Sequence, residues 1–145
     1  MFKHILIPTD GSELATAAVD RGVALAAALK AEVTFLTVIE PFTVLTANPI
    51  QLEATRGEYE AQSAAHAARV LADCAAKAAA AGVASSGLTE RSEQPWAAIA
   101  EAAATAGCDL IAMASHGRRG MAAVMLGSQT SKVLAQSKLP VLVYR

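Results

Sequence analysis

The alternation of strand-like and helix-like stretches constrains the fold of this chain more than any other feature. Short apolar runs, typical of buried strands, alternate with longer stretches in which apolar residues recur at helical spacing. Most of the strand-like runs are continuously apolar, as in strands covered on both faces. The pattern therefore predicts an α/β fold in which an open parallel sheet carries helices on both faces.

These patterns predict five strands and four helices. Gly82 ends the longest helix, and Pro95 stands at an early helical position, where its missing N–H has no partner to lose. Glu40–Leu52 contains two prolines and no clear period, which predicts a long surface loop. The predicted strands are Phe2–Ile7, Glu32–Ile39, Val83–Arg91, Asp109–Met113 and Pro140–Tyr144, and the predicted helices are roughly Ser12–Leu29, Glu53–Ala81, Gln94–Thr105 and Thr130–Gln136.

Composition narrows the class of protein. The 145 residues are 54% hydrophobic and 4% aromatic, which predicts one domain, residues 1–145, with an aliphatic core rich in alanine. The net charge of −1 gives no indication of a nucleic-acid partner. No apolar run approaches a membrane span, and the N-terminus lacks the layout of a signal peptide. Cys74 and Cys108 have no metal-like spacing, so we expect buried or half-buried thiols in a reducing cytoplasm.

Chemically versatile residues concentrate after the fourth predicted strand. The stretch Ala114–Gly120, followed by Gly127–Thr130, combines glycines and hydroxyls with His116, Arg118 and Arg119. Backbone N–H groups at a helix start are unpaired, and the helix dipole favours negative charge there, so this loop suits a phosphate. An ordinary surface loop with a serine cap and solvated arginines is the alternative, because short glycine patterns often occur by chance.

The turn after the first strand, Pro8–Ser12, carries a second unusual group. Asp10 either accepts a hydrogen bond from a base or sugar, or helps to hold a metal, or caps the first helix in a capping box with Glu13. Ser12 competes for the cap, so these roles of Asp10 stay open. If strands one and four are neighbours, this turn faces the late loop at the carboxyl edge of the sheet, where such folds hold ligands.

Missing motifs exclude several chemistries. The chain has neither a P-loop pattern nor G-x-G-x-x-G after the first strand. A response-regulator receiver would need acids and a lysine at three strand ends, and only Asp10 is roughly placed for that. The sequence shows no Ser/His/Asp set, zinc-ligand cluster or nucleophile elbow. His66 is assigned to a helix face, and His4 has no evident partner.

The whole chain resembles the universal stress protein family. Lys3–Ser12 is similar to that family's first strand and turn, and the last predicted helix and strand are similar to its C-terminal elements. The nucleotide-binding branch of the family carries the pattern G-x2-G-x9-G-[S/T]. Here Gly117 and Gly127-Ser128 occupy the later positions of that pattern, and Arg118–Leu126 are the intervening residues. Ala114 stands in place of the first glycine.

The resemblance implies a Rossmann-like sheet of order 3-2-1-4-5, of the adenine nucleotide alpha hydrolase type, in a cytoplasmic homodimer joined through Pro140–Tyr144. It implies binding of ATP, ADP or AMP with Mg²⁺ or Mn²⁺, with no catalytic or metal-binding side chain assigned; slow ATP hydrolysis stays open. The alternative is an interaction module whose pocket Ala114 has closed and which docks partners through Glu40–Leu52. The implied cofactor-binding residues are Pro8, Thr9, Asp10 and Val38 at the base and ribose, and Ala114, Gly117, Gly127, Ser128, Gln129 and Thr130 at the phosphates, with His116 and Arg118 beside them.

Overall fold

The computed structural model describes residues 1–42, 49–116 and 126–145, with the backbone alone described at residues 49 and 51. In these ranges five strands alternate with four helices, none of which is long and apolar enough to cross a membrane. The strands are β1 (His4–Pro8), β2 (Glu32–Ile39), β3 (Ser85–Arg91), β4 (Leu110–Ala114) and β5 (Val141–Tyr144), and the helices are α1 (Glu13–Leu29), α2 (Pro49–Ala80), α3 (Pro95–Ala106) and α4 (Ser128–Gln136).

The five strands form one parallel sheet of order β3-β2-β1-β4-β5, which confirms the predicted fold class and strand order. β1 lies at the centre, pairing with β2 on one side and with β4 on the other. The chain runs from β1 through β2 to β3 and then returns to the opposite side of β1. The strand order therefore reverses between β1 and β4, and the crevice at their carboxyl ends is where open α/β sheets hold ligands.

Apolar layers cover both faces of the sheet. Alternate residues of β1 point to opposite faces. Ile5 and Ile7 pack into the layer that contains α1 and α2, whereas Leu6 packs into the layer that contains α3 and α4. The central strands β1 and β4 are buried almost throughout, which accounts for their continuous apolar sequences.

Two helices begin earlier than predicted. α2 begins at Pro49 rather than at Glu53, because proline is tolerated in the first helical turn, where its missing N–H has no partner. The predicted loop Glu40–Leu52 is therefore too long, and residues 43–48 of it lie outside the described residues. α4 begins at Ser128 rather than at Thr130, because Gly127 adopts an extended N-cap conformation with φ −62° and ψ 153°.

A polar cluster lies near the amino ends of the strands. Nε2 of His4 is 2.7 Å from Oγ1 of Thr34, and Nδ1 of His4 is 3.3 Å from a carboxylate oxygen of Glu32. Thr34 is buried and lies 3.1 Å from Oγ of Ser86 on β3. The prediction that His4 has no partner was wrong, because neighbouring strands bring residues distant in sequence side by side.

Both cysteines are buried and free, as their spacing predicted. Cys74 lies in the layer beside α1 and α2, and Cys108 lies in the layer beside α3 and α4. Burial raises the pKa of each thiol to about 11. Because the thiolate is the nucleophilic form, both side chains behave as small core hydrophobes at neutral pH.

Candidate functional site

A cleft of about 430 Å³ lies at the carboxyl ends of β1, β2 and β4. Its volume falls in the range typical of small-molecule sites. Its walls come from the turn after β1, the end of β2, one face of α2, the start of α3, and the end of β4 with the start of α4. Every predicted cofactor-binding residue in the described ranges lines it: Pro8, Thr9, Asp10, Val38, Ala114, His116, Gly127, Ser128, Gln129 and Thr130. Gly117 and Arg118 lie outside the described residues.

The structure resolves which residue caps α1. Ser12 is the N-cap, and its side chain accepts a hydrogen bond from the backbone N–H of Ala15 at 3.3 Å. Oδ1 of Asp10 accepts a hydrogen bond from the backbone N–H of Ser12 at 3.0 Å, a local turn that aspartate favours. The capping-box interpretation of Asp10 with Glu13 was therefore wrong. The carboxylate of Asp10 shapes the turn and lines the cleft.

The turn after β1 is pressed against α2 at Gly11. Gly11 has φ +78°, a left-handed conformation that residues with a side chain rarely adopt. A Cβ atom at this position would lie 2.8 Å from Cγ2 of Val70 and 3.4 Å from Nε2 of His66. The same Nε2 is 3.5 Å from the backbone oxygen of Asp10. The fit of Gly11 beneath α2 thus fixes where Asp10 sits in the cleft.

Polar residues of α2 form a wall of the cleft that the sequence did not predict. Tyr59, Ser63 and His66 all line it. They are spaced four and three residues apart, which places them on one face of a helix. The spacing of these polar residues was the one signal in the sequence that could have indicated them. It predicts that they share one face of the helix, but it does not predict that this face lines a cleft. His66, assigned from the sequence only to a helix face, lies on the face toward the cleft.

Tyr59 also anchors the segment that follows β2. Its hydroxyl donates a hydrogen bond of 2.7 Å to the backbone oxygen of Glu40. Its ring lies 5.3 Å from the ring of Phe42, and the guanidinium of Arg56 lies 5.7 Å from the same Phe42 ring. Glu40 lines the cleft. Contacts from α2 therefore hold the β2 side of the cleft in place.

The opposite wall is the start of α4, which a glycine brings close to β4. The backbone N–H of Gly127 donates to the backbone oxygen of Ser115 at 2.8 Å. A Cβ atom on Gly127 would lie 3.1 Å from that oxygen and 3.3 Å from Cα of His116, so any side chain here would push the two backbone segments apart by a few tenths of an ångström. Gly127 has no side chain to cap α4, which leaves the first backbone N–H groups of the helix for an acceptor in the cleft.

Two side chains at the start of α4 have structural partners. Oε1 of Gln129 accepts a hydrogen bond of 2.9 Å from the backbone N–H of Trp96, and so caps α3. The hydroxyl of Thr130 is buried and donates to the backbone oxygen of Ala114 at 3.0 Å. The side chain of Ser128, by contrast, is exposed. The predicted phosphate-binding role of Gln129 and Thr130 stays a prediction.

His116 and Thr37 contribute buried polar atoms to the cleft. His116 is 7% exposed, and its Nδ1 lies 3.0 Å from Oγ of Ser115, which is 5% exposed. Nε2 of His116 and Oγ1 of Thr37 are buried without a hydrogen-bond partner among the described residues. A buried polar atom left unpaired costs free energy, so each favours a ligand group that completes its hydrogen bonds.

Charge is distributed unevenly around the cleft. The described lining residues include the carboxyl groups of Asp10 and Glu40 and the imidazoles of His66 and His116, but no lysine or arginine. The start of α4 adds the partial positive charge of a helix N-terminus to this lining. Among the described residues, no group of three or more His, Cys, Asp or Glu side chains is arranged to hold a metal ion.

Comparison with known sequences identifies the family to which this architecture belongs. The universal stress protein family matches residues 1–145. The chain belongs to this family. Its relatives include universal stress protein YxiE of Bacillus subtilis (strain 168), which is 31% identical to it over 149 aligned residues that cover all of both chains. The resemblance drawn from Lys3–Ser12 and the glycine pattern is thereby confirmed at the level of the family.

Solved structures of the family share the fold. Universal stress protein UspA from Lactobacillus plantarum matches with a TM-score of 0.86 at 26% identity, covering 99% of this chain and 97% of that one. A universal stress protein in complex with cAMP matches with a TM-score of 0.69 at 25% identity, again covering 99% of this chain and 97% of that one. The Rossmann-like parallel sheet of this chain is therefore the fold of its family.

Proposed function

We propose that this universal stress protein binds an adenine nucleotide in the cleft and acts in the response to stress. One observation carries the proposal: the start of α4, which has no side-chain cap, and Nε2 of His116, which has no hydrogen-bond partner among the described residues, adjoin the cleft that Asp10 lines from the turn after the neighbouring strand β1. The cleft lies at the point where the strand order reverses. The family member solved with cAMP supports an adenine nucleotide as the class of ligand.

The groups that line the cleft favour one orientation of the bound nucleotide. Phosphates are favoured at the start of α4, where helix dipoles stabilise anions by about 0.3–1 kcal/mol at exposed sites. The carboxylate oxygens of Asp10 and Glu40 accept hydrogen bonds, which suits the hydroxyl and amino donors of ribose and base. We therefore place base and ribose near Pro8–Asp10 and Val38, and the phosphates near Gly127-Ser128 and His116.

Within this proposal the ligand is ATP, ADP or AMP, and a polyphosphate brings Mg²⁺ or Mn²⁺ with it. The protein acts by binding in the cytoplasm rather than by catalysis. Thermal unfolding with each nucleotide, with and without the cation, tests the proposal. At a hundredfold excess over Kd, binding raises the free energy of unfolding by about 2.7 kcal/mol. For a chain of this length that corresponds to roughly 5–10 °C in Tm.

Uridine nucleotides are the control for the base, because they present the same phosphates on a pyrimidine. A Tm that rises equally with adenine and uridine nucleotides would show a phosphate site without adenine selectivity. A Tm that is unchanged with every nucleotide contradicts the proposal.

The second part of the proposal is a homodimer formed through β5. This strand ends the sheet, and Leu142 at its centre is 37% exposed. An exposed apolar edge strand is a template for pairing with another chain. We expect Leu142→Lys to yield monomers by size-exclusion chromatography with light scattering. Ile50→Lys, at an apolar residue of α2 that is 82% exposed, is the control and keeps the dimer. A Leu142→Lys protein that remains dimeric refutes this interface.

A further inference from the structure

Ser115 and His116 form a buried hydrogen-bonded pair at the end of β4. Oγ of Ser115 lies 3.0 Å from Nδ1 of His116, and both residues are more than nine-tenths buried. The backbone of Ser115 is fixed at both of its polar groups, because its N–H donates to the oxygen of Tyr144 and its oxygen accepts from Gly127. The pair therefore sits on rigid backbone rather than on a free loop end.

The hydrogen bond of this pair has two possible directions, which leave different groups unpaired. In the first, Nδ1 of His116 carries the proton and donates to the hydroxyl oxygen of Ser115. Two groups then lack partners among the described residues: the hydroxyl hydrogen of Ser115 and the lone pair of Nε2. In the second, the Ser115 hydroxyl donates to Nδ1, the proton of the ring is on Nε2, and only this N–H lacks a hydrogen-bond partner. Buried polar groups are rarely left unpaired, so the second arrangement is favoured. It makes Nε2 a hydrogen-bond donor.

The ring of His116 lies beside the start of α4. A Cβ atom built on Gly127 would be 3.8 Å from Cδ2 of His116, the ring carbon bonded to Nε2. Gly127 is the N-cap of α4 and offers no capping side chain. A buried N–H donor and the unpaired N–H groups of a helix start thus lie close together. Both favour an acceptor that carries negative charge.

We infer that Ser115 is a positioning residue: its hydroxyl donates to Nδ1 of His116 and so holds Nε2 as the N–H donor to an anionic group bound at the start of α4. The inference rests on the proposed function in one respect, because it takes the anion to be a phosphate of the nucleotide. The tautomer itself is a property of the protein without a ligand. The two claims can therefore fail separately.

The tautomer is measured directly by ¹H–¹⁵N correlation spectra of the histidine side chains, at a pH where His116 is neutral. We expect His116 to give the pattern of the Nε2–H tautomer, and Ser115→Ala to shift that pattern toward a mixture. A spectrum with the proton on Nδ1 in the unsubstituted protein overturns the inference. His66→Gln and His4→Gln assign the signals, because each removes one of the other two imidazoles in the chain.

Binding of AMP by calorimetry tests the consequence for the ligand. Ser115→Ala is expected to weaken AMP binding about tenfold, the usual size of one hydrogen bond to a charged group. His116→Gln places an amide nitrogen near the position of Nε2, and this nitrogen is a donor whether or not Ser115 is present. In the His116→Gln background, Ser115→Ala should therefore change the affinity for AMP less than about twofold. A full tenfold loss in that background would show that Ser115 acts by another route and would refute the inference.

Inorganic phosphate separates this inference from the proposed function. If no adenine nucleotide binds but phosphate shifts the Nε2 resonance of His116, and does so less in Ser115→Ala, the proposed function fails and the positioning role of Ser115 stands. If AMP binds and neither substitution alters its affinity, the proposed function stands and the inference fails. Unfolding curves of each variant confirm that the comparison is made on folded protein.

Discussion

The two sides of the cleft are built by different means. On the α2 side, which comprises Pro8–Ser12, the segment after β2 and the facing surface of α2, side chains reach across to backbone. Tyr59 donates to the oxygen of Glu40, and Val70 packs against Gly11. On the α4 side, which comprises Ala114–His116 and Gly127–Thr130, the side chains of Gln129 and Thr130 also reach backbone groups, but the helix start itself meets β4 by a direct backbone contact at Gly127.

This difference predicts how each side responds to substitution. Both helices reach the core, and the substitutions proposed on the α2 side disturb contacts between side chains and backbone, so they should change the free energy of unfolding as well as binding. The α4 side presents backbone N–H groups, so a side chain that obstructs them should remove binding with a smaller change in stability. Four substitutions test this contrast.

The largest expected effect is that of Gly127→Val on the α4 side. Its Cβ atom would lie 3.1 Å from the oxygen of Ser115, so the start of α4 must move away from β4. Because the proposed phosphate site uses the N–H groups of that start, we expect adenine-nucleotide affinity to fall more than about a hundredfold. The dimer should survive. Calorimetry and light scattering measure the two outcomes.

Gly57→Val is the matched control for Gly127→Val. A Cβ atom on Gly57 of α2 meets no atom within 4 Å, so this variant should bind nucleotide normally. Unaltered binding by Gly127→Val would show that the assignment of the phosphates to the start of α4 is wrong.

The next effect is that of Gly11→Ala on the α2 side. Alanine in a left-handed conformation costs about 1–2 kcal/mol, and the contact of 2.8 Å with Val70 adds to that cost. We expect the free energy of unfolding to fall by about 2–3 kcal/mol in urea titrations. Gly57→Ala should instead raise it by roughly 0.5–1 kcal/mol, since alanine is the better helix former. Equal effects of the two substitutions would contradict the fit of Gly11 beneath α2.

The sequence predicted the parts of this molecule that depend on local pattern. Hydrophobic periodicity was sufficient for the strand and helix order, because buried central strands such as Leu110–Ala114 must be apolar on both faces. The family's glycine pattern singled out Gly127 and Ser128, and both line the cleft, where Gly127 allows two backbone segments to approach closely. The predicted helix starts were less accurate, because a proline such as Pro49 is compatible with either a loop or the first turn of a helix.

Contacts between distant segments could not be predicted from such patterns. Nothing near Gln129 shows that its side chain caps α3 at Trp96. Nothing near Tyr59 or His66 shows that α2 covers the cleft. The partners of His4 likewise depend on the pairing of β1 with β2. In each case the side chain type is compatible with several partners, and the tertiary packing selects one.

Tyr59→Phe should have a smaller effect, because it removes only the hydroxyl that donates to Glu40. We expect the free energy of unfolding to fall by about 1 kcal/mol, and AMP affinity to fall about three- to fivefold as the β2 side of the cleft loosens. Affinity for inorganic phosphate should not change, because in the proposed arrangement phosphate contacts only the α4 side. A parallel loss for phosphate would show that the two sides are not independent.

The smallest expected effect is that of Ala114→Gly, at the position where the nucleotide-binding branch of the family has glycine. Ala114 is the last residue of β4, and its backbone oxygen accepts a hydrogen bond from the hydroxyl of Thr130. Its φ is not positive, since Lys30 is the one non-glycine residue with positive φ in the described ranges. The backbone at Ala114 therefore does not require glycine. We expect AMP affinity measured by calorimetry to change less than about threefold, and the free energy of unfolding to fall by roughly 0.5–1 kcal/mol, because glycine weakens a strand. Binding that appears only in Ala114→Gly would instead favour an interaction module whose pocket the methyl group closes.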